Sequence, residues 1–379
     1  MHILNVNSYL DLKTGGGTAE RTFQMSRFLA RQGAQCTVLA LDIGLDQARK
    51  SALAPAQVVT LACISRRFFI PYPDWRTILR LVRQADIVHL MGHWGILNAC
   101  VYLALRWTGT PYVVCPAGAL PVFGRSGRLK RLYNFMIGAA IIRNAAGWIA
   151  ITNAERAHFP AYGIPAERVT VIPNGVSGED FPPVDTGEFL KRRQLPDVPF
   201  ILFMGRLNLI KGPDILLQAF LEIAGRLPHY HLVFAGPDGG MLAELQRSAA
   251  QMPGRVHFLG YVGGADKSAA YRSARLLVVP SRSEAMSIVV LESGICGTPV
   301  LMTDQCGFSD ITSVHPALEV PATVAGVASG MLRLLATPEL LAEVAPAWRN
   351  FVERGFAWDA IAPRYISLYR GILDRLSPA

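Results

Sequence analysis

Short β-branched and aliphatic runs alternate with helix-length amphipathic segments along nearly all of the 379-residue chain, and this limits its fold more than any other feature. Strands buried on both faces read as unbroken apolar runs, and parallel neighbours need a helix-length crossover, so the pattern predicts parallel sheets wound by helices. In the first half the predicted strands are 3–7, 35–41, 57–61, 86–91, 111–115, 147–152 and 169–173, with helices over 18–32, 75–84, 96–107 and 129–143. Thr152-Asn-Ala-Glu155 has capping-box spacing and predicts a helix start. A second series runs through 200–204, 231–235, 255–259, 275–280 and 299–303. Between the two series lie Pro173-Asn174-Gly175 and the turn-rich stretch 178–183, where the domain boundary is expected. The expected fold class is α/β, with two doubly wound parallel-sheet halves facing a central cleft at their strands' carboxyl ends.

Composition narrows the class. At 51% apolar and 17% charged residues with a mean hydropathy of +0.28, the chain can fill two cores and is not a disordered tail. No run approaches the roughly 18 apolar residues of a membrane span, and the opening MHILNVNSYLDLK is too briefly apolar for a secretory signal. A cytoplasmic protein is expected. Six cysteines form no C-x-x-C pair and are expected to be buried free thiols. Neither H-E-x-x-H nor D-x-D occurs, so no metal site is expected.

The net charge of +9 is uneven: residues 1–180 hold 19 Lys and Arg against 10 Asp and Glu, and residues 181–379 hold 18 of each. A basic half beside a neutral half predicts that one domain faces an anionic partner. Arg125, Arg128, Lys130 and Arg131 precede an apolar stretch, and Arg66-Arg67-Phe68-Phe69 adds a second cationic-aromatic patch. Such patches suit an anionic membrane surface, although 133–142 itself is expected to be a core helix. No nucleic-acid recognition motif accompanies the charge.

Three constellations carry chemistry. Gly15-Gly16-Gly17-Thr18 follows the first strand and precedes a helix, where backbone N–H groups can approach an anion; neither G-x-G-x-x-G nor a P-loop is satisfied. Arg206 and Lys211 stand between a strand end and a helix start, a placement that suits a diphosphate. Glu284 and Glu292 flank an apolar stretch eight positions apart, and on a helix just over two turns long both could face one cleft. Carboxylates there would accept from the hydroxyls of a ribose and a hexose.

Taken together, G-R-L…K-G, E-x7-E, C-G-T-P-V, P-N-G-V and the early glycine run resemble the retaining GT-B glycosyltransferases of family 4 over nearly the whole chain. The resemblance implies Rossmann-like domains at 1–177 and 178–359, with a final helix at about 360–379 that packs back on the first. It implies that Arg206 and Lys211 clamp the diphosphate and that Glu292 holds the ribose. Glu284 is implied at the transferred sugar. Met286, Ser287 and Ile288 are implied to offer backbone N–H groups, and Gly16 and Gly17 to meet the diphosphate from the other domain.

The sequence departs from the family at two points. The second histidine of D-V-V-H-x-H is Met91 here, and that of P-H-G is Ala117, so His93 is the candidate to supply the missing catalytic imidazole beside Glu284, with a structural or acceptor-binding role as the alternative; His89 is expected to be packed. The implied activity is metal-independent, retaining hexosyl transfer from a nucleoside-diphosphate sugar, UDP favoured, to a glycan or lipid-linked glycan. No cofactor is needed beyond that substrate. The cell address would be cytoplasmic, peripheral on the inner face of the plasma membrane. A nucleotide-sugar epimerase or hydrolase, or a non-catalytic nucleotide-binding relative, fits the same frame, whereas a dehydrogenase fails on the glycine pattern.

Overall fold

Seven parallel strands make the first sheet: β1 (His2–Val6), β2 (Gln35–Leu41), β3 (Gln57–Leu61), β6 (Ile87–Met91), β7 (Tyr112–Cys115), β8 (Gly147–Ala150) and β9 (Val169–Val171). A short antiparallel hairpin, β4 (Cys63–Ser65) with β5 (Ile70–Pro71), stands apart and carries the Arg66–Phe68 patch at its turn. The computed structural model describes residues 1–122 and 126–376, without the side chains of 12–14 and 309; Arg125 lies outside the described residues. The strand order β3-β2-β1-β6-β7-β8-β9 reverses between β1 and β6, which pair in register from Ile3↔Ile87 to Val6↔Leu90. Ligands of open α/β sheets bind at the carboxyl ends of the strands beside such a reversal.

This sheet belongs to a unit made of Met1–Gly175 together with Trp358–Ala379. Local chemistry places its helices: Asp74 caps Trp75–Gln84 by accepting from the Thr77 N–H at 3.1 Å, and Gly109, at φ 74°, ends Ile96–Thr108. The last helix, Trp358–Leu376, buries Trp358, Ile361, Tyr365, Tyr369 and Ile372 in this unit. Arg21, fully buried, donates to Asn174 Oδ1 at 2.8 Å, to the Ile172 carbonyl at 2.7 Å and to the Tyr365 hydroxyl. His89, a packed strand residue, shares a 2.6 Å hydrogen bond with the Tyr369 hydroxyl. A Cβ on Gly175 would sit 2.8 Å from the Trp358 ring, which is why the P-N-G turn needs its glycine.

The second unit is Val176–Ala357. Its sheet holds β10 (Phe200–Met204), β11 (His231–Ala235), β12 (Val256–Phe258), β13 (Leu276–Val279), β14 (Val300–Thr303) and β15 (Glu319–Val320), in the order β12-β11-β10-β13-β14-β15. The reversal here lies between β10 and β13. Among the described residues no single helix is long and apolar enough to cross a membrane. All six cysteines are free, with Cys36, Cys115, Cys296 and Cys306 buried.

Two helix expectations are corrected. Instead of an α-helix at the capping-box signal, a 3-10 run spans Ala154–Tyr162: Thr152 Oγ1 does accept from the Glu155 N–H at 3.3 Å, but the Glu155 carboxylate turns to the Ile151 and Gly118 N–H groups at 2.7 and 2.6 Å. Residues 129–143 do not form one regular core helix either. Gly127–Tyr133 is α-helical, Asn134–Gly138 is a π turn and Ala139–Arg143 is α-helical, with Phe135 89% and Met136 72% exposed.

Candidate functional site

The loops after β10 and β13, the strands flanking the second reversal, carry most of the predicted donor residues. Arg206 follows β10 on the surface, its Cγ lying 2.8 Å from where a Gly239 Cβ would be. Asn208 caps the next turn by accepting from the Lys211 N–H at 3.0 Å. Gly212, at φ 66°, lets this loop press on the end of β13, where any Cβ would meet the Pro280 carbonyl at 2.1 Å. Arg282 ties the two loops together. Its N–H donates to the Ile210 carbonyl at 2.8 Å, and its guanidinium forks onto Asp214 at 2.8 and 2.5 Å.

The result is an ion pair across the reversal: Lys211 Nζ lies 2.7 Å from Glu284 Oε2. The other Glu284 oxygen accepts from the Ser281 hydroxyl, and the Glu284 side chain is only 9% exposed. The eight-residue spacing is not two helical turns. The helix begins at Ile288, so Glu284 sits in the preceding loop and Glu292 lies one turn into the helix.

Glu292 has its own partners. Buried on that helix, it accepts from Lys267 Nζ at 2.5 Å and from the Tyr271 hydroxyl at 2.6 Å, both from helix Ala265–Ser273. Burial and the neighbouring carboxylate push the Tyr271 phenol well above its ordinary range, so it donates and does not ionise. An ionised carboxylate has about four acceptor sites, so Glu292 keeps capacity for further hydroxyls. Sequence reasoning missed Lys267, Tyr271, Ser281 and Arg282, since none stands in a motif with the residue it holds.

Among the three expected N–H donors, Met286 is a buried residue and the Ser287 N–H is given to the Cys306 carbonyl at 3.2 Å. Ile288 opens the helix Ile288–Cys296, whose first N–H groups have no intrahelical acceptor. No side chain caps it, and the buried Ser287 hydroxyl has no partner. The start of this helix follows Glu284, the partner of Lys211, by four residues, and a helix start with free N–H groups favours negative charge.

In the first unit, the glycine run lies after β1 at the other reversal. Gly15 is required by close packing, since a Cβ would meet Ala19 at 2.6 Å and Tyr9 at 2.7 Å. Gly16, at φ 53°, breaks the helical path, and Thr18 restarts it by donating its hydroxyl to the Gly15 carbonyl at 3.0 Å. Gly16 and Gly17 are partly exposed there.

His93 has the surroundings of the structural alternative. It is 3% exposed, ringed by Trp94, Tyr133 and Tyr162 at centroid distances of 4.4, 5.9 and 5.5 Å. Its Nε2 donates to Asn134 Oδ1 at 2.7 Å, because Asn134 Nδ2 is itself the donor to the Tyr162 hydroxyl at 2.8 Å. Burial pulls its pKa down to about 4, so the imidazole is neutral, and its Nδ1 is enclosed without a partner. In this geometry His93 holds Asn134. Met91 is likewise buried at the end of β6, and Ala117, at φ 51°, sits in a turn closed by the Ala119 N–H on the Pro116 carbonyl at 3.2 Å.

Two parallel doubly wound sheets, with a cation–carboxylate pair and an open helix start at one reversal, define a GT-B nucleotide-sugar transferase. Family models agree: "Glycosyltransferase Family 4" matches residues 15–179 and "Glycosyl transferases group 1" matches residues 187–350. The chain belongs to the family 4 glycosyltransferases, a retaining family that transfers sugar from nucleotide-sugar donors.

Among its relatives, a D-inositol 3-phosphate glycosyltransferase of Acidothermus cellulolyticus is 31% identical over 94% of this chain and 86% of its own. Another from Frankia alni is 29% identical over 96% of both. Among solved structures, Anabaena Alr3699/HepE in complex with UDP and glucose superposes at a TM-score of 0.78 with 19% identity, covering 98% of this chain and 100% of that one. WaaG, a glycosyltransferase involved in lipopolysaccharide biosynthesis, gives 0.64 with 17% identity over the whole of both chains. These two likenesses carry the fold.

Proposed function

We propose that the chain moves a hexose-type sugar from a UDP-sugar to a hydroxyl of a glycan or lipid-linked glycan, with retention, in the assembly of a surface polysaccharide or glycolipid. The observation that carries this reading is the Lys211–Glu284 pair at 2.7 Å beside the open start of helix Ile288–Cys296. When the glycosidic bond breaks, negative charge grows on the departing diphosphate and positive charge spreads over the sugar ring. Arg206, Lys211 and the helix-end N–H groups stabilise the first. Glu284, held in place by Lys211 and Ser281, stands ready for the sugar hydroxyls, and Glu292 holds the ribose with Lys267 and Tyr271 fixing its orientation. The UDP and glucose held by the Anabaena neighbour support uridine as the first base to try.

A second acceptor comes from the curated relatives, whose names specify D-inositol 3-phosphate, an anionic polyol that the basic first half would attract. The test is a thermal-shift screen of UDP-, GDP- and ADP-sugars, followed by transfer from the stabilising donor to D-inositol 3-phosphate and to a lipid-linked oligosaccharide. A glycoside with the donor's anomeric configuration is expected. An inverted product, a free epimerised nucleotide sugar, or donor binding without transfer to either acceptor would each replace this reading with one of its rivals.

A further inference from the structure

Residues 126–143 form a helical rod that is apolar on two opposite sides. Inward, Tyr133 and Ile137 pack against the core to which Ile141 and Ile142 belong. Outward, Leu129, Leu132, Phe135 and Met136 are all more than half exposed, Phe135 almost completely. A helix on the surface of a water-soluble domain normally turns polar residues outward, and one that is apolar on both sides has a second apolar environment. The inversion is built in. Asn134, the polar residue of the π turn, is drawn inside by His93 and Tyr162 at 2.7 and 2.8 Å, which leaves Phe135 and Met136 outside. Gly138 makes room for that arrangement, because a Cβ there would meet Asn134 Oδ1 and the Tyr133 ring at 2.6 Å each.

Charge identifies the environment. Residues 87–154 contain no Asp or Glu and six Arg or Lys, four of them between 125 and 131. Arg128 and Arg131 are exposed on the rod among the outward apolar residues, and Lys130 lies 5.4 Å over the Trp94 ring. Against the rod runs a groove of ≈ 530 Å³ lined by Val122, Phe135, Ala139, Ala161 and the two basic residues Arg143 and His158. Exposed apolar side chains interleaved with cations match the boundary between acyl chains and anionic headgroups.

We propose that this face is a docking surface for an anionic lipid leaflet, with Phe135 and Met136 inserted among the acyl chains and Arg128, Lys130, Arg131 and Arg143 on the headgroup phosphates. It stands apart from the reading of the donor site, and its test needs no sugar substrate. The full-length chain is sedimented with vesicles of phosphatidylcholine alone and with about a third phosphatidylglycerol added. Binding to the anionic vesicles is expected, weakened by salt and at least about tenfold stronger than to the neutral ones. Phe135→Ser with Met136→Ser, and separately Arg128→Glu with Arg131→Glu, are each expected to reduce it about tenfold or more, with the calorimetric unfolding transition of the unit that holds Met1–Gly175 unchanged as a check of folding. Equal binding to both vesicles, no binding at low salt, or variants that bind like the parent would overturn the proposal. So would a dimer in sedimentation that Phe135→Ser with Met136→Ser dissociates, since the occupant would then be a second copy. Arg128→Glu with Arg131→Glu remains decisive if the serine pair fails to fold.

Discussion

In the proposed donor complex Lys211 serves two anions, the Glu284 side chain at 2.7 Å and the donor's diphosphate. Its ammonium has three protons to share, and Ser281 relieves it by donating to the other carboxylate oxygen. Arg206 has the fork geometry that lysine lacks, so the two cations are not interchangeable. A hydrogen bond to a charged group is worth about 1.5–3 kcal/mol, which converts to roughly 10- to 150-fold. Arg206→Ala is therefore expected to raise the donor KM within that range with little change in melting temperature. Lys211→Ala is expected to do the same and to lower kcat as well, because it leaves a 9% exposed carboxylate without its counterion and moves the group that meets the sugar. Steady-state kinetics at varied donor would show it; wild-type turnover of both variants at subsaturating donor would remove the clamp.

At the scale of the element, β6 and the turn behind it carry two buried neutral histidines. Burial pulls His89 down to about 3 and His93 to about 4, against an ordinary value of 6.5. A lowered histidine leaves the unfolded chain binding more protons than the folded one below about pH 6.5, so stability is complete above that and is lost as pH falls toward the folded values. The two shifts represent of order 3 kcal/mol or more each at full extent. Glu155 acts in the opposite sense, since burial raises its carboxyl and the folded state takes up that proton first. Urea unfolding is expected to give a marginally stable first unit near pH 5 and a robust one near pH 7, with His93→Gln flattening the dependence. A pH-independent midpoint would mean that the imidazoles are hydrated.

The same strand illustrates what the sequence could reveal. Ile87-Val-His-Leu-Met91 is buried throughout, and such runs announce themselves without an alignment. The two-residue strands β5 and β15 were invisible because so few residues carry no period. The π turn was invisible for a different reason. One extra residue per turn rotates everything after it by about 100°, so a pattern fitted at 3.6 residues buries Phe135 and Met136 when the fold exposes them. At the site, the residues in short motifs could be found. The partners of Glu292 could not, because Lys267 and Tyr271 meet it only through the packing of two helices.

For the whole molecule the chain order matters most, because the first unit is completed by residues that arrive last. Trp358, Ile361, Tyr365, Tyr369 and Ile372 are all at most 1% exposed within it. Full burial of side chains of this size contributes about 1.5–3 kcal/mol each, so five of them together are comparable to the roughly 5–15 kcal/mol stability typical of a domain. Removing them also takes Tyr365 from Arg21 and Tyr369 from His89, leaving buried polar groups without partners. A chain ending at Ala357 is therefore expected to lose the unfolding transition of Met1–Gly175 while keeping that of Val176–Ala357, whose six-stranded sheet is its own and which carries Arg206, Lys211, Glu284 and Glu292. Calorimetry with and without UDP separates the two, since the surviving transition should still rise with the nucleotide. Two intact transitions in the shortened chain would show that the last helix merely decorates the first unit, and loss of both would show that the second cannot stand without it.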